Sequence, residues 1–190
     1  MNVLLSGVGG QGTVLASRLI AQCAIDKGIN AKTAETIGMA QRGGCVVSHV
    51  RTGDTHSPLI PFHSADLIIG FEPGEAARVL PYLAPGGAVV TAKRVILPVS
   101  ASLTKSEYKS DEMLEFLKTA TDKLTVIDGD KICKECGSPK VLNIALVGAA
   151  ISSGSLNITI EDMEKAIKKM VHERFWEQNL RALKLGARLL

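Results

Sequence analysis

An open α/β sheet, mainly parallel, with helices on both faces and a helical C-terminus is the fold that this sequence predicts. Three observations carry the prediction. The first is an apolar strand, Asn2 to Ser6, that stops at Gly7-Val8-Gly9-Gly10-Gln11-Gly12 and opens directly into a helical pattern. The second is a rhythm: the apolar runs Ala65 to Phe71, Ala88 to Ala92 and Leu124 to Ile127 alternate with stretches of helical period, as expected for a parallel sheet covered on both faces. The third is the end of the chain, which carries helical patterning from Val141 onward. Together they describe a single Rossmann-like domain over residues 1–190, long enough to bury its own core.

The elements follow in order. Thr13 to Lys27 is a helix whose polar residues Arg18, Gln22 and Asp26 fall at i, i+4 and i+8. Nearly everything else in it is apolar, so it is buried on most sides, between layers of the domain or against a partner. Gly28 ends it. Ile29 to Thr33 is a second strand, and Ala34 to Gly44 has no clean period and is expected as a functional loop. Cys45 to Arg51, rich in valine, is a strand paired antiparallel to an edge, and Thr52-Gly53-Asp54 a turn. Pro73 to Leu80 fits a short helix with proline in its first turn. Pro85-Gly86-Gly87 is a turn before the strand Ala88 to Ala92, and Val95 to Val99 is one more strand. Asp111 to Ala120 and Val141 to Ile151 are helices. Thr159 and Asp162 form a box-like start for an amphipathic helix with Ile160, Met163, Ile167, Met170 and Val171 on one face and Lys165, Lys168 and Lys169 on the other. A final helix runs from about Glu173 to Leu189.

Composition narrows the function classes. Hydrophobic residues at 46% and charged residues at 22% give a globular balance. A net charge of +3 with no basic run, and only 4% aromatics, gives no indication of nucleic acid. No basic segment precedes an apolar core at the N-terminus, and the apolar runs are too short to span a membrane. Cys23, Cys45, Cys133 and Cys136 are scattered, which fits a reducing compartment. The expected location is cytoplasmic.

The glycine turn is the strongest local signal. A strand that ends in glycines and becomes a helix can bring an anion to the N–H groups of the first helical turn, at the positive end of the helix dipole. Its other reading is a tight βα turn with no ligand. The spacing satisfies the dinucleotide fingerprint, and Glu35, 23 residues after Gly12, supplies an acid at the right count. The chain around Glu35 does not run on into a helix, however. Gln41-Arg42-Gly43-Gly44 is a second glycine-rich segment, and Arg42 offers a planar fork suited to phosphate or carboxylate. The two segments, Gly7, Gly9, Gly10, Gln11 and Gly12 with Gln41, Arg42, Gly43 and Gly44, compose one candidate anion site at the sheet's carboxyl edge.

Other motifs carry less. Cys133-Lys134-Glu135-Cys136 is one C-x-x-C without a second pair or a nearby histidine, insufficient for structural zinc. Asp128-Gly129-Asp130 is a turn. His49, His56, His63 and His172 have no matching nucleophile. Glu72 follows the fourth strand and has a functional position, whereas Glu75 is expected as a solvated acid at a helix start. No catalytic or metal-binding residue is assigned.

Gly7-Val8-Gly9-Gly10-Gln11-Gly12, Gly38-Met39-Ala40-Gln41-Arg42-Gly43-Gly44 and Val47-Ser48-His49-Val50-Arg51 together resemble the gamma-type subunit of 2-oxoacid:ferredoxin oxidoreductases. Within that family the chain is most similar to the beta-subunit branch of the indolepyruvate enzymes, through Ser57-Pro58-Leu59-Ile60-Pro61, Phe71-Glu72-Pro73-Gly74-Glu75-Ala76, Asn143 to Ala149, and Asn179, Ala182 and Gly186. The resemblance covers essentially the whole chain. It implies a subunit, inactive alone, of an enzyme that converts a 2-oxoacid, coenzyme A and oxidised ferredoxin to acyl-CoA, carbon dioxide and reduced ferredoxin.

The resemblance also implies a catalytic alpha-type partner that carries thiamine diphosphate, Mg and [4Fe-4S] clusters, with ferredoxin reached through the complex. Cys133 and Cys136 fall where the family has ordinary helix residues. Three roles remain for this chain: helping to bind coenzyme A at the glycine loops, serving as a purely structural assembly subunit, or standing alone as a nucleotide-binding protein that uses the glycine fingerprint.

Overall fold

The computed structural model describes residues 1–37, 44–93 and 110–188. They form one six-stranded sheet in the order β2-β3-β1-β4-β5-β6. Its strands are β1 (Asn2–Val8), β2 (Ala31–Ile37), β3 (Cys45–Thr52), β4 (Ala65–Gly70), β5 (Leu83–Ala92) and β6 (Leu124–Ile127). β1, β4, β5 and β6 pair in parallel, and β3 runs antiparallel to both of its neighbours, β1 and β2. The helices are α1 (Thr13–Asp26), α2 (Pro73–Arg78), α3 (Ser110–Ala120), α4 (Gly129–Glu135), α5 (Leu142–Ser152), α6 (Ile160–Met170) and α7 (Trp176–Ala187).

The period-2 alternation of the strands divides the core in two. On one face Val3, Leu5, Leu67, Ile69 and Val90 pack with residues of α1, α4, α5, α6 and α7. On the other, Leu4, Ile68 and Val89 pack with Ala76 and Val79 at α2, Leu114 and Leu117 of α3, and Ile60. Each such leucine or isoleucine, fully buried, contributes about 1.5–3 kcal/mol. α1 lies between the sheet and the C-terminal helices, which cover most of its apolar surface, while Ile25 and, of its polar stripe, Arg18 and Asp26 stay exposed. α5 is buried from Leu142 to Ala150.

Several boundaries differ from the sequence reading, each for a physical reason. β2 starts and ends later than expected, because the register of Ala31–Ile37 is set by pairing with β3 rather than by its own weak apolar signal. Pro85-Gly86-Gly87 is an irregularity inside β5, where the register jumps from Ala65↔Leu83 to Leu67↔Ala88. Asp128 is not a turn residue but the cap of α4, accepting the Lys131 N–H at 3.0 Å. The final helix begins as a 3-10 turn over Glu173–Phe175. The strand expected over Val95 to Val99 lies outside the described residues. The box at Thr159 is complete: its hydroxyl accepts from Asp162 N–H and Asp162 accepts from Thr159 N–H, each at 3.1 Å.

Candidate functional site

The chain leaves β1 and β4, which are neighbours, in opposite directions. From β1 it passes through α1 on one face to β2 at the far left, and from β4 through α2 on the other face to β5 on the right. The carboxyl ends of β1 and β4 therefore flank a topological switch point, the crevice where open α/β sheets bind their ligands. The turn Gly7–Gly12 closes one wall of this crevice, and Phe71-Glu72 begins the other.

The turn is held by its own chain. Gln11 N–H donates to the Val8 carbonyl at 3.1 Å, and Gly9 N–H donates to the Gly44 carbonyl at 2.9 Å. The second contact brings the described end of the Gln41–Gly44 segment against the first glycine turn; Gln41, Arg42 and Gly43 lie outside the described residues. Gly10 and Gly12 take φ of +99° and +87°, a region that side chains rarely enter. Gly12 is also the N-cap of α1, and no side chain caps that helix. Among the described residues, a Cβ on Gly10 would meet nothing within 4 Å.

Gln11 spans the crevice. Its Oε1 accepts the Val8 N–H at 2.7 Å and its Nε2 donates to Glu72 Oε1 at 2.7 Å. Glu72 is 3% exposed and occupies the N-cap position of α2, yet its carboxylate does not cap that helix. A third element meets the same turn from α5: Asn143, 2% exposed, donates from Nδ2 to the Gly12 carbonyl at 3.3 Å. A Cβ on Gly12 would fall 2.6 Å from that nitrogen.

A polar cluster lies beside the crevice on the second face. Glu75, expected as a solvated acid, has a side chain only 12% exposed. It accepts from the Ser6 hydroxyl at 3.0 Å, from the Cys45 thiol at 3.2 Å, and from Arg78 Nη2 at 2.7 Å. Its short spacing to β1 and β3 places it under α2 rather than in water. Burial, and then the Glu75 carboxylate, push the Cys45 thiol above its ordinary range, so it stays protonated and acts as a donor. The bond to Glu75 strengthens the charged form of Arg78.

The other candidates fall elsewhere. Glu35 is on β2, and the antiparallel β3 lies between it and β1. That insertion adds one strand spacing, about 4.8 Å, to the distance at which a dinucleotide fingerprint has its acid. Glu35 instead faces Arg18, with Nε and Oε1 3.9 Å apart. Cys133 is buried in α4 with Sγ 3.8 Å from the Pro139 carbonyl oxygen, and burial raises the Cys136 thiol. Cys23 is pushed up to about 12 by burial. Among the described residues no three His, Cys, Asp or Glu side chains group as a metal site would need. No described helix is long and apolar enough to cross a membrane. Sequence reasoning did not assign Asn143 to the site, although it opens the Asn143 to Ala149 stretch of the resemblance and is the lone amide in the apolar run Val141 to Ile151.

Comparison with known proteins places this geometry in a family. The family model described as pyruvate ferredoxin/flavodoxin oxidoreductase matches residues 2–189. The chain is 38% identical over 187 residues to "Indolepyruvate oxidoreductase subunit IorB" of Archaeoglobus fulgidus, covering 98% of this chain and 93% of that protein. The pyruvate oxidoreductase subunit PORC of Thermotoga maritima shares the fold, with a TM-score of 0.73 at 20% identity over 99% of this chain and 95% of that one. A 2-oxoglutarate:ferredoxin oxidoreductase from Magnetococcus marinus, solved with 2-oxoglutarate, coenzyme A and succinyl-CoA bound, contains the same fold. Its TM-score is 0.71 at 18% identity, over all of this chain and 31% of that one.

Proposed function

The chain belongs to the pyruvate ferredoxin/flavodoxin oxidoreductase family, as a subunit of a 2-oxoacid oxidoreductase, and from that premise we propose that it helps to bind coenzyme A at its glycine turn. The 2-oxoacid is an aryl pyruvate of the indolepyruvate type, the substrate named in the relatives at 32–38% identity. A catalytic alpha-type subunit holds thiamine diphosphate with Mg and the [4Fe-4S] clusters, and ferredoxin takes the electrons through the complex. Among the described residues Cys23, Cys45, Cys133 and Cys136 form no disulfide, and no three His, Cys, Asp or Glu side chains group as a metal site would need.

One observation carries the coenzyme A reading. At the topological switch point, α1 begins at a glycine with no side-chain cap and no acid in its first turn, beside Gly10, where a Cβ would meet no described residue within 4 Å. A diphosphate there would meet unpaired helix N–H groups and the positive end of the α1 dipole. In the sequence Arg42 stands two residues before Gly44, and its guanidinium is of a kind suited to the same group. The Magnetococcus marinus enzyme, with this fold inside a larger chain, handles coenzyme A, which supports the choice of anion.

The role of this chain is to bind and orient, so its residues act on the coenzyme A affinity rather than on the electron-transfer chemistry. The test is steady-state viologen reduction by the complex with arylpyruvate while coenzyme A is varied. Gly10→Val and Arg42→Ala are expected to raise the apparent KM for coenzyme A about tenfold or more and to leave the KM for the 2-oxoacid in place. An unchanged KM for coenzyme A in both variants, with the complex assembled, rejects this reading and leaves the glycine turn a packing device.

A further inference from the structure

We infer that Glu72 is a positioning residue for the glycine turn, acting through the Gln11 carboxamide across the β1–β4 crevice. The inference rests on the coenzyme A reading above, and adds to it a residue that lies outside both glycine segments.

The geometry carries it. The side chains that cap a helix from the N-cap position are the short ones, Ser, Thr, Asp and Asn. Glu72 stands at that position for α2 and makes no such bond. Its Oε1 instead accepts from Gln11 Nε2 at 2.7 Å, 61 residues away in sequence. Placing a carboxylate at 3% exposure is costly without such compensation. The carboxylate can only accept, so it dictates which way round the Gln11 amide lies. With Nε2 fixed on Glu72, Oε1 must face the other way, and there it takes the Val8 N–H at 2.7 Å.

That second bond sets the shape of the turn. Gly7 has no room for a side chain: its Cβ would fall 2.6 Å from Gln11 Oε1 and 3.0 Å from both Phe71 Cβ and Thr13 Cγ2. The Gln11 carboxamide thus fills the inside of the turn, against the strand end on one side and the first residue of α1 on the other. It keeps Gly10 outermost and Gly12 at the helix start, each at positive φ. The fixed order of donors is what an anion would find already assembled, and preorganisation of that kind lowers the cost of binding. Glu72 is itself an acid, so direct contact with a phosphate would be repulsive, whereas its bond to Gln11 reaches the turn.

Two consequences separate this from a merely structural role. First, removing the acceptor acts on coenzyme A and not on the 2-oxoacid. Second, Glu72 and Gln11 act as one unit, so their effects do not add. The experiment is a double-mutant cycle on the complex with Glu72→Leu, Gln11→Ala and both together, read as KM for coenzyme A, KM for arylpyruvate and kcat, with Gly10→Val in parallel. The expected result is a five- to twentyfold rise in the KM for coenzyme A in each single variant. The double variant should fall well short of the product of the two single effects, and the KM for arylpyruvate should stay within twofold. Independent, multiplying effects, or equal shifts in both KM values, would overturn the inference. If Gly10→Val raises the KM for coenzyme A and Glu72→Leu and Gln11→Ala do not, the positioning role fails while the coenzyme A reading stands. If Gly10→Val also leaves it unchanged, both fail. Should Glu72→Leu fail to assemble, Gln11→Ala alone decides, because a KM for coenzyme A left at the native value contradicts a turn held by that carboxamide.

Discussion

At the crossing of α5 and α7, a Cβ built on Gly186 would overlap the Ala145 carbonyl, and one on Gly148 would overlap the Leu183 carbonyl. At the glycine turn, a Cβ on Gly10 would meet no described residue within 4 Å. The helix pair thus uses glycine because its own backbone comes too close for anything larger. The turn uses it for a backbone angle of +99°, and no described residue crowds it there. Crowding is the mark of a packing site, and an uncapped helix start beneath an open glycine is the mark of a binding site. The two regions share a neighbour: α5 supplies both the Gly148 contact and Asn143, which braces Gly12.

The contrast is open to attack at its strong end first. Gly186→Ala forces a methyl group against a backbone carbonyl that cannot swing aside, and is expected to cost about 3 kcal/mol or more. For a chain of this size that is a fall in Tm of roughly 6–12 °C, read by calorimetry. Gly10→Ala has room for its methyl group, so only the backbone angle opposes it, at about 1–2 kcal/mol. A loss at Gly10 as large as that at Gly186 would erase the distinction between the two regions. Thr159→Ala removes the hydroxyl half of a complete capping box on α6 and is expected to cost about 1 kcal/mol. That is a local loss, which should leave coenzyme A kinetics untouched and so sharpen the separation between packing and binding.

A smaller effect concerns the second face. His49 is buried on β3, its Nδ1 accepts the Ile60 N–H at 3.1 Å, and its ring meets Tyr82 edge-on. Burial lowers its affinity for a proton below the ordinary value of 6.5. The unfolded chain therefore binds the proton first as pH falls, and stability drops progressively below about pH 6.5 and is flat in this group above it. Melting curves from pH 7.5 to 5.5 check the direction, and His49→Gln should flatten the slope. A rise in Tm on acidification over this range would contradict the buried neutral imidazole.

Much of this was legible in the sequence, and the failures are instructive. Arg18, Gln22 and Asp26 marked the outer stripe of α1 because a helix buried by its own sheet and neighbours leaves only one row of polar positions. Thr159 with Asp162 marked the start of α6 because both halves of the box are local. Glu75 was misread because its three partners, Ser6, Cys45 and Arg78, come mostly from other strands. Its burial is a property of the sheet and not of its own helix. Asn143 escaped for the same reason, since its partner Gly12 is 131 residues away. The bend at Pro85-Gly86-Gly87 was seen, but whether glycines end a strand or bulge within it depends on the register with β4. Of the candidate site, the glycine turn was plain in the letters, whereas the Gln11–Glu72 bond that braces it required the order of the strands.

Whether the glycine turn at the β1–β4 switch point receives coenzyme A is decided by calorimetric titration of coenzyme A into the intact complex, native and Gly10→Val side by side. Saturable binding to the native complex is expected, with at least tenfold weaker binding to the variant and the subunits still assembled. Equal affinity in the two complexes would contradict it.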